Sequence, residues 1–382
     1  MKIQISACIV VLLFAVGISN LGAQELTPRE ELGKMLFFDE NLSEPTGQSC
    51  AACHGPDVGY TGPDEAINEG GTVYEGAVAG RFGNRKPPTT AYAGDSPIFH
   101  LTKKSGWVGG MFWDGRATGW VLGDPLAEQA QGPFLNPLEQ NLPSAGEVVS
   151  RACASSYNEL FEAVCGPCGG IDVNQAYECV GRSIAAYERS GEVTQFTSKY
   201  DYSLKEMATL SQEERKGFAL FKGKGKCAKC HVVTGPKSLF TDFTYENLGI
   251  PKNPLNPFYT QPPEFNPDGI NWVDYGLGGF LQSAGYDAAV YGPEIGKHKV
   301  PTLRNVDLRP DEGFVKAYGH NGFFKSLKEI VHFYNTRDVE AWPEPEVLDN
   351  INTSKLGNLG LTDEEEDAIV AFLKTLSDGY LP

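Results

Sequence analysis

Apolar residues recur at helical spacing in several separated stretches of the chain, and a capping sequence precedes most of them. Thr27 to Glu30 combines an N-cap threonine, a proline at the first helical position and a glutamate three residues after the cap, a pattern typical of a helix start. The predicted helix ends near Asp39 and carries four apolar residues, Leu32, Met35, Leu36 and Phe37. Ser211 to Glu214 repeats the capping pattern and predicts a second helix through Phe221.

Four more helices are predicted from similar signals. They start near Ser144, cover about 175–188, run from the cap at Ser326 through Tyr334, and follow the cap at Thr362. Two long segments, 55–97 and 235–296, are rich in glycine and proline and have no sustained periodicity, which predicts irregular loops. We therefore expect a mostly α fold with long irregular loops.

The first 23 residues have the features of a secretory signal. Lys2 supplies the positive end, residues 7–18 the apolar run, and Leu21 to Ala23 a small-residue cleavage site. A membrane anchor is the alternative, but the apolar run is shorter than the roughly 20 residues that a bilayer requires. No later segment reaches that length, so we expect an exported, periplasmic protein without a membrane span.

The chain is strongly acidic, with a formal net charge of −17 that becomes −18 when the one lysine of the signal is removed. This excess disfavours nucleic acid and anionic membrane as partners. It favours a basic protein partner or a small neutral substrate, and does not choose between the two.

Two pentapeptides, 50–54 and 227–231, each contain two cysteines separated by two residues and followed at once by a histidine. This pattern is typical of covalent haem c attachment, in which the thiols bind the porphyrin and the histidine binds the iron. A structural zinc site is the ordinary alternative. The predicted ligands of two haems are Cys50, Cys53, His54, Cys227, Cys230 and His231.

Four further cysteines, at positions 153, 165, 168 and 179, lie close together in the sequence. In an oxidising compartment they predict two disulfides with three possible pairings. Cys165 and Cys168 are spaced like a redox dithiol, but no histidine follows and no βαβ pattern surrounds them.

The order capped helix, haem motif, long loop and closing helix occurs twice. Two cytochrome c-like haem domains, residues 24–200 and 201–382, are therefore predicted after the signal at 1–23.

Two sites offer chemistry beyond haem attachment. In the segment 112–117, Arg116 could pair with haem propionates and Trp113 could lie between redox centres; a core tryptophan and a surface ion pair are the ordinary interpretation. Glu139 is a candidate acid–base group, because a carboxylate facing an open iron can move a proton between the two oxygens of H2O2. The chain has 49 acidic residues, so the residue type alone does not single out Glu139.

Together, several motifs resemble the bacterial dihaem cytochrome c peroxidase and MauG family, in order and over nearly the whole mature chain. The motifs are both haem pentapeptides, 112–117, Gln129 through Glu139, 299–305 and 320–322. The resemblance implies a peroxidatic N-terminal haem and an electron-transferring C-terminal haem. It also implies that Trp113 connects the haems electronically, and that Gln129 and Glu139 line the distal pocket with Pro133 nearby.

The resemblance implies further ligands. Arg116 and Arg304 are expected to contact haem. A calcium ion between the haems is expected to be held largely by backbone carbonyls, and Val315 and Ala317 match those positions by their spacing from His320. Arg85-Lys86 replaces the family's usual Arg-Asn, which leaves Asn84 as the candidate side-chain ligand.

Two positions divide the family. Classical members have a histidine soon after the first haem motif that ligates the iron at rest, but residues 55–99 contain none. His100 lies too far along the chain to match, and only a long loop could bring it back to the iron, so we expect an open, five-coordinate N-terminal iron. The classical methionine ligand of the C-terminal haem falls fourteen residues after the histidine equivalent to His320, where this chain has Tyr334, as MauG does. A core aromatic is the ordinary interpretation of Tyr334, and His332 is the rival ligand.

A phenolate stabilises ferric iron, whereas a thioether favours ferrous iron and raises the potential. The resemblance therefore implies H2O2-dependent oxidation of a protein substrate, with tryptophan as the target, by long-range hole transfer via a high-valent dihaem state. The alternative is a cytochrome c peroxidase that reduces H2O2 to water with an external electron donor. A dihaem electron carrier without catalysis is the third class.

Overall fold

A computed structural model describes residues 25–382, so the signal predicted at 1–23 lies outside the described residues. Helices dominate, with two small antiparallel sheets pairing β1 with β2 and β3 with β4. The helices are α1 Pro28–Phe37, α2 Glu65–Glu69, α3 Pro125–Leu135, α4 Ala145–Cys153, α5 Asn158–Cys165, α6 Val173–Arg189, α7 Lys199–Leu204, α8 Gln212–Lys222, α9 Gly276–Ser283, α10 Ala288–Tyr291, α11 Leu327–Thr336 and α12 Asp363–Lys374. The strands are β1 His100–Thr102, β2 Gly106–Val108, β3 Tyr245–Glu246 and β4 His298–Lys299. The predicted mostly α class is confirmed.

All six predicted helices are present, and their caps explain where they begin. Thr27, Ser211 and Thr362 each form a reciprocal capping box with the glutamate three residues later. The start of α11 differs, because the Glu329 carboxylate accepts a hydrogen bond from the Lys325 amide (2.7 Å) instead of from the cap residue. Met35 was expected on the buried apolar face of α1, but it is 42% exposed.

The sequence did not predict helix α3, although it carries two of the expected site residues. Asp124 caps it by accepting hydrogen bonds from the amides of Leu126 and Ala127, and Pro125 occupies the first turn. Pro133 lies inside the helix, and a proline at that position argues against a helix when only the sequence is read. Helix α9 lies within the segment 235–296, for which the glycine and proline content predicts an irregular loop. Buried Leu277 and Leu281 hold the helix in place.

The predicted internal repeat is visible in how each half packs. Helix α1 packs against α6, and helix α8 packs against α12. At each crossing a glycine of the first helix touches a carbonyl of the closing helix. A β-carbon at Gly33 would overlap the Ser183 oxygen, and one at Gly217 would overlap the Ala368 oxygen. Glycine has no β-carbon, so the backbones of the two crossing helices come closer than any larger residue would allow.

Two hydrophobic cores follow from this packing. The first gathers α1, α3, α4, α5 and α6 around residues such as Phe134, Phe161 and Tyr187. The second gathers α8, α11 and α12 around Phe221 and Phe372. The first core ends at Val193 and the second begins at Tyr200, close to the predicted domain boundary, which remains a prediction.

Four cysteines form two disulfides within the first half. Cys153 pairs with Cys168, and Cys165 pairs with Cys179. The pairs join α4, α5 and α6, so the cysteines that are spaced like a redox dithiol belong to different structural bridges.

Candidate active site

The first haem motif lies at the wall of a cavity, here called the N-terminal cavity, which is lined by Cys50, Cys53 and His54. Both thiols are free. The Nδ1 atom of His54 lies 3.1 Å from the Tyr60 carbonyl, and a bond there fixes the ring with Nε2 as the remaining ligand atom. Burial lowers the pKa of His54 to about 4, which keeps the imidazole neutral as iron ligation requires.

The second haem motif has the same construction around the C-terminal cavity, which is lined by Cys227, Cys230 and His231. The Nδ1 atom of His231 lies 2.8 Å from the Phe240 carbonyl, and burial lowers the pKa of this histidine too. Both cavities therefore combine two free thiols with a neutral, oriented imidazole, and their donor sets fit covalent haem c.

Four expected residues meet across the N-terminal cavity: Gln129, Pro133, Glu139 and Arg116. The Asn136 amide donates a 2.8 Å hydrogen bond to Oε1 of Glu139 and orients this carboxyl. Burial raises the pKa of Glu139, and the nearby Arg116 guanidinium partly opposes the increase. The group is thus better able to hold a proton than an ordinary surface carboxylate.

The loop before α3 is held by the residue next to Gln129. The Glu128 carboxylate accepts hydrogen bonds from the backbone amides of Gly119 (2.7 Å), Val121 (2.7 Å) and Leu122 (2.8 Å). This contact fixes the segment 118–125 against the helix. Gln129, the next residue of α3, lines the N-terminal cavity.

Arg116 is held from two sides. Its Nη1 atom bonds Asp114 at 2.8 Å, and its guanidinium lies 3.8 Å above the centre of the Phe112 ring. The expected surface ion pair is present, and the same side chain also lines the N-terminal cavity.

His54 is the one histidine among the described residues lining the N-terminal cavity. His100 lies in β1, where its ring is exposed and its Nδ1 atom is 2.7 Å from the Ile98 carbonyl. The long loop therefore does not bring His100 back toward His54.

In the C-terminal cavity, Tyr334 projects from α11 into the space that His231 also lines. Leu327, Ile330 and Val331 of the same helix line it as well, so this side is largely apolar. Burial raises the pKa of the Tyr334 phenol.

The rival ligand His332 points away from the C-terminal cavity. Its Nδ1 atom lies 2.9 Å from Glu366, and its Nε2 atom lies 3.2 Å from Glu340. Both ring nitrogens are thus engaged by carboxylates, which raise the pKa of His332.

Trp113 lines both cavities and so forms part of the wall between them. Its indole Nε1–H donates a 2.8 Å hydrogen bond to the Lys86 carbonyl. Its ring centre is 6.5 Å from that of His320, in an edge-to-face arrangement.

With this geometry established, comparison with known proteins identifies the family. The family model for di-haem cytochrome c peroxidases matches residues 27–209. The methylamine utilization protein MauG of Paracoccus denitrificans (strain Pd 1222) is 34% identical over 378 residues, which covers 93% of this chain and 91% of the relative. The chain belongs to the di-haem cytochrome c peroxidase and MauG family.

Other relatives in this family include peroxidases. The cytochrome-c peroxidase IdrP1 of Denitromonas iodatirespirans is 28% identical over 363 residues, or 91% of this chain and 80% of the relative. The crystal structure of the diheme peroxidase BthA from Burkholderia thailandensis E264 matches with a TM-score of 0.76 and 30% identity, over 93% of this chain and 87% of that one. This chain is therefore an H2O2-dependent di-haem oxidoreductase.

One residue expected to contact haem in this family does not reach either cavity. Arg304 is buried, its Nη1 atom bonds both oxygens of Asp201 (2.8 and 2.9 Å), and its Nε atom bonds the Ser238 carbonyl (2.7 Å). The guanidinium is engaged by this buried ion pair with α7, and the haem contact expected for Arg304 remains a prediction.

The residues expected to hold the family's calcium do not fit that ion. The Val315 carbonyl accepts a hydrogen bond from the Asn68 side-chain amide (3.1 Å). Lys316, between Val315 and Ala317, is buried, and its ammonium group binds the carbonyls of Val58, Asn305 and Leu308. A competing amide donor and a buried cation at this place oppose a divalent cation.

Sequence reasoning missed a buried charged cluster at the wall of the C-terminal cavity. Arg85 binds Asp114 and Asp274, each at 2.6 Å, and so connects the two halves of the chain. His298 stacks on His320 with ring centres 3.6 Å apart. Asp114, Arg85 and His320 belong to motifs named in the sequence, but Asp274 and His298 are distant from them and belong to no recognisable pattern, so the cluster could not be assembled.

Proposed function

We propose that the mature chain is a periplasmic enzyme with two covalently bound haem c groups, which uses H2O2 to oxidise a protein substrate. Family membership, the two pairs of free thiols and the two oriented histidines support the cofactor assignment. When bound, the haems supply the iron that reacts with peroxide and the redox equivalents that leave the enzyme. Among residues 25–382 no helix is both long and apolar enough to cross a membrane.

The N-terminal cavity is the proposed peroxide site. Glu139 is the residue that would take a proton from one oxygen of H2O2 and return it to the other, as a positioned acid–base group does, while a haem held by Cys50, Cys53 and His54 would supply the iron. Asn136 orients its carboxyl, and burial favours the protonated form that the second step needs. Gln129 and Arg116 offer hydrogen-bond donors on the same side, and Pro133 fills space beside them.

Tyr334 is the proposed distal ligand on the other side of Trp113. Burial in an apolar cavity disfavours the charged phenolate, so the Tyr334 phenol loses its proton only when its oxygen binds a strongly electron-poor partner. Such a ligand suits a haem that stays oxidised and shares oxidising equivalents with the peroxide site. The position of Trp113 in the wall of both cavities supports transfer between the two.

This pairing of Glu139 in one cavity with Tyr334 in the other is the observation that carries the proposal of protein oxidation, with tryptophan as the target. The alternative is a cytochrome c peroxidase that takes electrons from an external donor. The relatives named as cytochrome-c peroxidases favour it. An enzyme of that kind needs a readily reduced C-terminal haem, for which a thioether ligand is better suited.

The test mixes the holoenzyme with H2O2 and the exported proteins of the source cell, and maps oxidised residues by peptide mass spectrometry. Oxidation at defined tryptophans, lost in Glu139→Gln, is expected. In parallel, a reduced small cytochrome c is offered as electron donor. Rapid multiple turnover with that donor and no oxidised protein product would establish the alternative instead.

A further inference from the structure

Two buried lysines make hydrogen bonds between the two halves of the chain, and neither has a role in the proposed reaction. Lys86 is 8% exposed and Lys316 is 4% exposed. The Lys86 amide donates to the His320 carbonyl (2.9 Å), and its own carbonyl accepts the indole hydrogen bond of Trp113. Lys86 therefore joins the tryptophan of the first half to the histidine motif of the second.

The ammonium groups of both lysines are held by neutral oxygens. Nζ of Lys316 donates to the carbonyls of Val58 (2.9 Å), Asn305 (3.1 Å) and Leu308 (2.8 Å). Nζ of Lys86 donates to Thr61 Oγ1 (2.8 Å) and the Pro87 carbonyl (3.1 Å). Converging carbonyl and hydroxyl oxygens are the environment that a hard metal cation prefers, but here the chain's own cations occupy it.

The carboxylates near these lysines are already engaged. Glu65 accepts a hydrogen bond from the Val315 amide (2.9 Å), and Asp307 is paired with Arg309. The one cluster of three His, Cys, Asp or Glu ligands among the described residues is Asp274–His298–His320, in the wall of the C-terminal cavity. Burying two like charges is unfavourable, so a further dication beside them would be strongly disfavoured.

We infer that the ammonium groups of Lys86 and Lys316 replace the interhaem calcium ion of the family, so that this chain joins its two halves without a divalent metal. The lysines place positive charge between the two halves and tie them together with hydrogen bonds from within the chain. The inference concerns metal binding and does not depend on the substrate of the enzyme.

The first experiment uses the wild-type holoenzyme. After dialysis against EGTA and then metal-free buffer, elemental analysis is expected to find less than about 0.1 calcium per chain. Peroxide reactivity is expected to stay unchanged, and added CaCl2 should leave the melting temperature where it was. One calcium per chain that survives dialysis, or reactivity that is lost with EGTA and restored by calcium, would overturn the inference.

The second experiment tests whether removal of both ammonium groups restores calcium binding. The double variant Lys86→Asn/Lys316→Ala recreates the Arg-Asn order and removes both ammonium groups. We expect it to melt at lower temperature, and to gain stability and one calcium per chain when CaCl2 is added.

Lys325→Asn is the matched control, because Nζ of Lys325 is also held by three carbonyls, those of Asn68, Gly70 and Gly322, each at 2.8 Å. It should lose stability without responding to calcium. An equal calcium response in the control, or none in a folded double variant, counts against the inference. The wild-type metal analysis stands even if the double variant does not fold.

Discussion

The N-terminal and C-terminal cavities share one scaffold and differ in what faces the histidine. Each has a capped helix, a glycine crossing, two free thiols and an imidazole held by a backbone carbonyl. Opposite His54 lie Glu139, Gln129 and Arg116, whereas opposite His231 a mainly apolar face presents Tyr334. The difference teaches that two similar scaffolds can present different side chains to the histidine, and the proposed function assigns peroxide chemistry to one cavity and charge storage to the other on that basis.

The strongest test of this division is Glu139→Gln. It keeps the shape and the Asn136 contact but removes the acid–base function, so the reaction with H2O2 should slow by ~10² or more. Stopped-flow mixing of the holoenzyme with peroxide measures it. Glu246→Gln is the control, because Glu246 lines the other cavity. It should keep the wild-type rate, and an equal loss in both variants would remove the asymmetry between the cavities.

Tyr334→Met replaces the tyrosine that distinguishes the C-terminal cavity with the methionine of the classical family members. Replacing a phenolate donor by a thioether should raise the potential of the C-terminal haem by roughly 0.1 V or more, within the range that axial ligands control. Spectroelectrochemical titration measures the change. Tyr318→Phe alters a second tyrosine in the same lining and should leave the potential nearly constant. An unchanged potential in Tyr334→Met would exclude Tyr334 as ligand.

Gly33→Ala and Gly217→Ala test what the cavities have in common. In each variant the new methyl group meets a carbonyl of the closing helix, so the free energy of unfolding should fall by about 1–3 kcal/mol, as for other overpacked sites. Denaturant titration measures both. Gly191→Ala, which has open space around it, is the matched control. A loss at only one crossing would show that the repeat is not equivalent in the two halves.

The smallest effects are expected at the two rival histidines. His100→Ala and His332→Ala should leave the spin state at rest and both haem potentials unchanged, because neither ring faces a cavity. Electron paramagnetic resonance of the resting enzyme checks this. A new high-spin signal in His332→Ala would reassign the C-terminal ligand.

Local patterns in the sequence predicted the parts that depend on neighbouring residues. The capping motifs gave six helices, the pentapeptides gave both thiol pairs, and the spacing from His320 led to Tyr334 in the second cavity. The features that the sequence did not predict involve contacts between distant segments. Arg304 has Asp201 as its partner, α3 forms despite Pro133 because its apolar face is buried, and Arg85 connects Asp114 to Asp274. No residue beside these positions reveals such partners.

The glycine crossings also determine the order in which the protein can be assembled. The chain is made from its N-terminus, so α1 and the first pair of thiols exist long before α6, and α8 and the second pair exist before α12. Neither core can close until its last helix arrives and packs onto the glycine. Each thiol pair therefore stays accessible until its closing helix docks, so haem can be attached to the thiols before folding encloses the site.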